Sequence, residues 1–470
     1  MIEIKSRKFA PLSGSHSTYL LAEPNLVSEV DEASVLAMGG LSVDFPSIAH
    51  LLDSGAIPWT SSVYRNFHIL NGMHSGEVGQ NNKRLTVTNN FPYLRKYSKQ
   101  NSYNQIEFMN RLYAAVERSI DNSRQSVLFL SSGKDSAALA VAMAECCDLA
   151  SVHAITYSAP NNDESEAASR IAKRFGFSHE IINVDNYYLE EKLLKVFFTK
   201  QFIPSLDLCS TAYLHCGLEA YEGCNLVDGM GNDQYIGHIP PKNEATVAQL
   251  QGLVPYPIKR AVGALRSYHR ALAIGSKTRS EMVGFWSFLS HSPLIDELLS
   301  FSDRRKVWYE IDRGYRNYDY LDLRAELRGS YIDFEKFIRK VKNAASTYKM
   351  ALSLPWCDFE LASYCHNLKD DDLFSRSKLI NKCFLREFLG KKTGIDYFNE
   401  PKFTFSYDFS RFVLDNYDFV KYVCLNSNLF KRESVEREFK RFEKFDAYGS
   451  IYQLFLISGW FKYSQFVNRL

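Results

Sequence analysis

The stretch SVLFLSSGKDSAALAVAMAE, Ser126 to Glu145, constrains the fold of this chain more than any other. Its first residues are mostly apolar and read as a buried strand. They run straight into Ser131-Ser132-Gly133-Lys134-Asp135-Ser136, and an alanine-rich helical pattern follows. At the carboxyl end of a parallel strand, backbone N–H groups point out of the turn toward the next helix, whose dipole adds positive potential. Ser131, Ser132 and Ser136 add hydroxyl donors, Gly133 permits close approach, and Asp135 suits a magnesium ion held against phosphate oxygens. The spacing is not that of a GxxxxGK[ST] loop. The bend is built for phosphates.

From Ile106 onward the pattern reads helix (IEFMNRLYAAVERSI), strand (SVLFL), helix (SAALAVAMAECC), strand (SVHAITYS), helix (ESEAASRIAKRFG), strand (HEIINV). Such alternation predicts parallel βαβ units with right-handed crossovers, hence an α/β domain with helices on both faces of its sheet. Beyond about residue 240 the pattern is mainly helical. Residues 1–100 read instead as short strands broken by turn residues: STYLLAEPN, SIAHLLDSGAIPW, FHILNGMHSGEV and RLTVTNNFPYL. A polar segment, KYSKQNSYNQ, links the two. A length of 470 residues also favours two domains, a β-rich module over 1–100 and an α/β domain over 106–470.

A formal net charge of +2 gives no reason to expect a nucleic-acid partner or a membrane surface. No apolar run reaches the roughly 18 residues that span a bilayer. The nine cysteines include no CxxC pair and read as reduced core thiols, so a cytoplasmic location is expected. The basic stretch from Lys259 to Arg279 reads as a solvated helix face or as a surface that steers an acidic peptide or sugar acid.

The Ser131–Ser136 bend resembles the SGGxDS signature of the PP-loop ATP pyrophosphatases, with one glycine replaced by serine. Further segments follow in order: ITYSAPNNDESEAASRIAKRFGFSHEIINVD; NLVDGMGNDQYIGH, similar to an SGxGxDExFGGY loop; VKNAASTYKMALSLPWCDFEL; and NEPKFTFSYDF. Together with the closing segment YGSIYQLFLISGWFKYSQF they identify residues 105–465 as resembling the asparagine synthetase superfamily, which includes β-lactam synthetases and lasso-peptide cyclases. The resemblance implies ATP and Mg2+ as cofactors and cleavage of ATP to AMP and pyrophosphate. It brings Thr156, Tyr157 and Ser158 near the nucleotide, with Asp163 and Glu164 opening the next helix. Gly229, Gly231, Asp233, Tyr235 and Gly237 keep the frame of the second loop, and Asp233 becomes the second magnesium-binding carboxylate, facing Asp135. Lys402 falls where the family keeps a lysine that stabilises amide formation. Lys134, at a variable position, either neutralises leaving pyrophosphate or points to solvent.

The departures matter equally. The chain opens Met1-Ile2-Glu3, whereas glutamine-hydrolysing members open Met-Cys, so no glutaminase chemistry is expected and the β-rich module reads as a degenerate, repurposed one. Met230 and Ala351 stand where asparagine and β-lactam synthetases keep the groups that deprotonate the amine, and mark a changed substrate pocket. His238, Tyr235 and Tyr348 remain open as replacements, and Ser210 and Thr211 fall on the substrate side. The reading that follows is a ligase that adenylates a carboxylate and transfers the acyl group to an amine, in peptide or specialised-metabolite (antibiotic) biosynthesis, as in a macrolactam cyclase. Small-molecule or peptide substrates are its expected partners, with a biosynthetic protein as a further one. The alternatives are an amidotransferase using ammonia supplied from elsewhere, and a non-catalytic nucleotide- or partner-binding descendant.

Overall fold

Antiparallel pairing organises the N-terminal strands and parallel pairing the large sheet that follows them. The computed structural model describes residues 7–9, 18–23, 26–30, 41–58, 61–70, 74–78, 85–89, 101–160, 163–236, 239–240, 242–265, 270–283, 287–290, 292–399 and 405–468. In the N-terminal part, β1 (Arg7–Phe9), β2 (Thr18–Glu23), β3 (Leu26–Val30), β4 (Phe67–Leu70), β5 (His74–Val78) and β6 (Leu85–Asn89) form two three-stranded sheets, ordered β1-β5-β6 and β3-β2-β4.

One expected strand is a helix. The segment SIAHLLDS lies within the Phe45–Ser54 helix, capped by the Asp44 carboxylate, which accepts the Ser47 N–H. Pro46 sits in its first turn, where a missing N–H costs nothing, and Gly55 closes it in the left-handed conformation. Ile48, Leu51 and Leu52 recur at helical spacing and are buried together, which overrides the turn-rich flanks that suggest a strand.

The large sheet holds β7 (Ser126–Phe129), β8 (Val152–Ser158), β9 (Ser178–Asn183), β10 (Asn225–Val227) and β11 (Ala351–Ser353), all parallel, in the order β11-β10-β7-β8-β9. The chain has the expected α/β class. The Lys134–Cys146 helix buries every residue from Ser136 to Met143, because its alanines let it lie close to the sheet and to the Gln105–Ser119 helix. From β7 the chain crosses to β8 and β9 on one side, while β10 and β11 lie on the other. That reversal opens a crevice between the loops that leave β7 and β10, the usual ligand position in open α/β sheets.

A single apolar cluster runs through both parts of the chain. Ile48, Leu52, Tyr64 and Phe67 pack in it with Phe198, Phe202 and Trp460, the last from the Tyr448–Tyr463 helix. The Tyr64 hydroxyl donates to the Phe202 carbonyl at 2.5 Å. Charge is buried at the same junction. Arg304 and Arg305 lie 3.6 and 3.7 Å from the Asp53 carboxylate, Arg305 also pairs with Glu281, and the Lys277 ammonium lies 3.4 Å from the Asp53 carbonyl oxygen. Lys277 and Lys259 are buried, and Arg279 donates to the Tyr315 and Tyr318 carbonyls. Lys259, Lys277 and Arg279 thus face the interior, whereas Arg260 of the same stretch is exposed and residues 266–269 lie outside the described residues.

Burial alone would raise the Asp53 carboxyl, yet Arg305, Lys277 and Arg304 hold it down at about 2. Its stabilising contribution is therefore complete above about pH 4, the unfolded value, and is lost as pH falls toward 2. Asp53→Ala strands several buried cations and is expected to cost about 3–5 kcal/mol. Urea unfolding at pH 7 measures it; an unchanged midpoint would show that the cluster contributes nothing.

Candidate active site

The loop after β7 is braced from within. The Ser136 hydroxyl accepts the Ser131 N–H at 3.1 Å and lies 2.9 Å from the Ser131 hydroxyl, which accepts the Gly133 N–H at 3.1 Å. Gly133 caps the Lys134–Cys146 helix and has no side chain to accept a first-turn amide. The buried Glu164 carboxylate accepts both the N–H and the hydroxyl of Ser132, at 3.0 and 2.7 Å. The Thr156 hydroxyl donates to the Leu130 carbonyl at 2.7 Å and ties β8 to the start of the loop.

The loop after β10, Asp228 to Asp233, lies directly against this turn. A Cβ on Gly229 would stand 2.9 Å from the Ser136 nitrogen. Gly231 has φ +118°, a conformation that favours glycine, and lies against Cys357. The Asn232 side chain donates to Asp135 Oδ1 at 2.6 Å. Between the two loops stands Lys382, whose Nζ is 2.8 and 2.7 Å from the Asp135 carboxylate oxygens, 2.8 Å from Asn232 Oδ1 and 2.8 Å from Asp233 Oδ1. Its side chain is 4% exposed. Burial disfavours its charge, but Asp135 and Asp233 hold its pKa above the ordinary lysine value.

Two carboxylates from separate loops thus converge on one buried cation position. This donor set fits magnesium, which commonly takes one or two protein carboxylates and completes its shell with substrate phosphates. No group of three or more His, Cys, Asp or Glu suited to a metal occurs among the described residues, so a metal here would need phosphate oxygens.

A cavity of about 450 Å³ opens beside the two loops. Its lining is mostly aromatic and aliphatic: the Tyr157 ring lies 5.7 Å from Phe129, 5.8 Å from Tyr213 and 5.3 Å from Phe405. Asp207, Lys336 and Lys340 also line it, and Lys340 Nζ donates to Asp207 Oδ1 at 3.1 Å. Against the penalty of burial, Lys340 and Lys336 hold the Asp207 carboxyl below its ordinary value. Burial raises the Asp228 carboxyl to about 6.

Of the residues singled out by sequence, Ser131, Gly133, Asp135, Ser136, Thr156, Tyr157, Gly229 and Met230 line this cavity. Ser132 turns to Glu164, the Ser158 hydroxyl donates to Asp163 at 3.0 Å, and Lys134, Gly231 and Asp233 flank the loops without lining the cavity. Ala351 lies outside the lining, on β11 opposite Asn225. The Tyr235 hydroxyl donates to the Trp356 carbonyl, Tyr348 is buried at a helix end, Ser210 bonds the Asp207 carbonyl and Thr211 bonds Tyr452. Lys402, Gly237 and His238 lie outside the described residues. Sequence reasoning missed Lys382, Asn232, Asp207, Asp228, Lys336 and Lys340. Only Asp228 and Asn232 had a visible signal, as polar residues inside the glycine-framed loop.

Gly229→Ala forces its new methyl group against the backbone of the phosphate turn, where nothing flexible can yield. ATP affinity measured by calorimetry is expected to fall by at least about tenfold, or roughly 1.4 kcal/mol, with the fold intact; unchanged affinity would separate the two loops from nucleotide binding. No curated protein matches the chain. The family model for asparagine synthase matches residues 107–447, a span that takes in both loops, Lys382 and the cavity. The chain belongs to the asparagine synthase family, a family of ATP-dependent carbon–nitrogen ligases.

Proposed function

We propose that the protein adenylates a substrate carboxylate with ATP and passes the acyl group to an amine, in the manner of a macrolactam-forming ligase of peptide or specialised-metabolite biosynthesis. The observation that carries this reading is the convergence of Asp135 and Asp233 on one buried cation beside a phosphate-type turn, at the mouth of a largely apolar cavity.

In the first step a carboxylate oxygen attacks the α-phosphorus, the bond to the bridging oxygen breaks, and pyrophosphate leaves. Backbone amides at the start of the Lys134–Cys146 helix would hold the β- and γ-phosphates, since those of Ser131, Ser132 and Gly133 are bonded within the protein. Asp135 and Asp233 are the residues that would hold Mg2+, which supplies charge neutralisation on the departing pyrophosphate. Lys382, held in its charged form beside both aspartates, would offset the same charge. In the second step the amine attacks the acyl carbon and AMP departs. Lys402, by resemblance, offers positive charge to the oxyanion.

The apolar lining favours this reading over a primary-amide synthetase for aspartate and ammonia. Phe129, Tyr157, Tyr213, Phe405 and Met230 offer contact area to an apolar or peptide substrate and little to a small, highly polar one.

The test is exchange of radiolabelled pyrophosphate into ATP with a panel of acids: aspartate, N-acylated amino acids, short peptides and sugar acids. Exchange is expected with an apolar or peptide acid, and Asp135→Ala is expected to lower it by at least about a hundredfold. Exchange with aspartate or a sugar acid alone would favour the amidotransferase; ATP binding without exchange for any acid would favour a non-catalytic descendant.

A further inference from the structure

This inference rests on the amide-forming reading and concerns its second step. The motif positions that should supply a proton acceptor hold Met230 and Ala351, neither of which titrates. We propose that Lys336 accepts the proton of the attacking amine, from the wall of the same cavity.

Geometry carries the proposal. Lys336 lies on a π-helical segment, Arg328–Ile338, set between the Tyr320–Leu327 and Arg339–Thr347 helices. Wide turns of this kind are rare and concentrate at functional sites. Lys336 lines the cavity together with Met230, Asp228 and the phosphate turn. Met230 also packs against the apolar cluster that includes Phe334 and Ile338 of the same segment. Lys336 and the loop position that lost its titrating group thus line one cavity. The Ser205 hydroxyl donates to the Lys336 carbonyl at 3.2 Å and anchors the turn.

Burial favours its neutral form, and the charges around it act in both directions. Asp207 and Cys209 face it from the loop before Ala212, Lys340 from the next turn of helix, and Arg328 from the start of its own segment. Asp228 and Tyr213 line the same cavity. Asp207, the charge that acts most strongly on it, also accepts from Lys340. Burial pushes the Lys336 ammonium down to about 8, with Arg328 and Lys340 adding to the effect and Asp207 opposing it. Burial also works against the Lys340 charge, but Asp207 and its neighbours raise that amine to about 12. Two lysines one turn apart are thus driven to different states: one stays a cation and the other exchanges a proton near neutral pH.

The step balances. The amine lone pair forms the C–N bond, the bond from the acyl carbon to the AMP phosphate oxygen breaks, and AMP leaves with that electron pair. Neutral Lys336 takes its proton from the ammonium form of the acceptor, which frees that lone pair, and loses it to solvent after product release; the proton left on nitrogen after attack passes to solvent.

Two measurements test this. The first is competitive labelling with acetic anhydride between pH 6 and 10, with peptides quantified by mass spectrometry. Half-maximal labelling of Lys336 is expected near pH 8; titration together with the exposed lysines overturns the proposal. The second compares hydroxylamine, unprotonated at neutral pH, with ammonium chloride as acyl acceptor, using whichever acid supports pyrophosphate exchange. Lys336→Met is expected to keep exchange and hydroxamate formation, and to lose about a hundredfold or more with ammonium. Lys336→Arg, which cannot give up its proton, is expected not to restore it. Rescue by arginine would show an anion anchor instead, and loss of exchange in Lys336→Met would assign the residue to adenylation. An acid limb near pH 6 in place of pH 8, which vanishes in Asp228→Asn but persists in Lys336→Met, would transfer the role to Asp228. Each of these three results overturns the proposal. A wild-type protein without exchange for any acid would overturn the ligase reading instead, and the labelling result would still decide how Lys336 titrates.

Discussion

The Lys382 ammonium holds the catalytic half of this molecule together. Asp135 and Asp233 carry like charge on separate loops, and at short range in a poorly solvated crevice they would force the loops apart. A cation between them reverses the sign of that interaction and fixes the distance between the phosphate turn and its neighbour. The parallel sheet brings the loops near each other; the ion pair decides how near. Because Lys382 lies about 250 residues beyond Asp135, a difference of 247, the crevice exists only when the C-terminal helices have packed. The same pair of carboxylates suits a divalent ion once phosphates arrive to complete its shell.

The described N-terminal residues belong to the same body. Residues from the Phe45–Ser54 helix and β4 pack into the cluster that holds Trp460, and Asp53 sets the charge balance around Arg304, Arg305 and Lys277. An ion cluster of this burial contributes little net stability compared with apolar packing, but it penalises misplacement severely, because any shift leaves a charge alone in a dry interior. Apolar contact supplies the attraction between the two parts, and the charges supply their register.

Legibility in the sequence followed the range of the interaction involved. The sheet and the phosphate turn were readable because alternating patterns and a polar bend at a strand end are local signals: Ser126–Phe129 and Lys134–Cys146 lie within a residue or two of where patterning puts them. The Phe45–Ser54 helix was misread because Gly55 and Pro58, which look like strand punctuation, bound a segment whose apolar spacing is helical. Lys382 gave no signal, since its partners sit far away in the chain and a lone lysine is usually solvated. Lys336 was hidden for a different reason. A π turn changes the number of residues per turn, so helical spacing no longer tells which side chains share a face. Lys259, Lys277 and Arg279 were misleading because a run of basic residues carries no mark of whether its counter-ions are solvent or buried carboxylates.

The electrostatics of the cavity also explain why proton transfer has moved off the glycine-framed loop. That loop already carries Asp228, pushed up to about 6 by burial with Asp135 adding to the effect, and Asp233 lies three residues beyond position 230. A further carboxylate at 230 would raise the cost of ionising each of its neighbours. Met230 avoids that cost and extends the apolar lining toward Phe334 and Ile338. The wall that carries Lys336 has the opposite balance: Lys340 and Lys336 share Asp207 and Arg328 adds positive charge beside Lys336, so the least costly change available there is for one amine to give up its proton. A site crowded with carboxylates on one side and with cations on the other puts its neutral base on the cationic side.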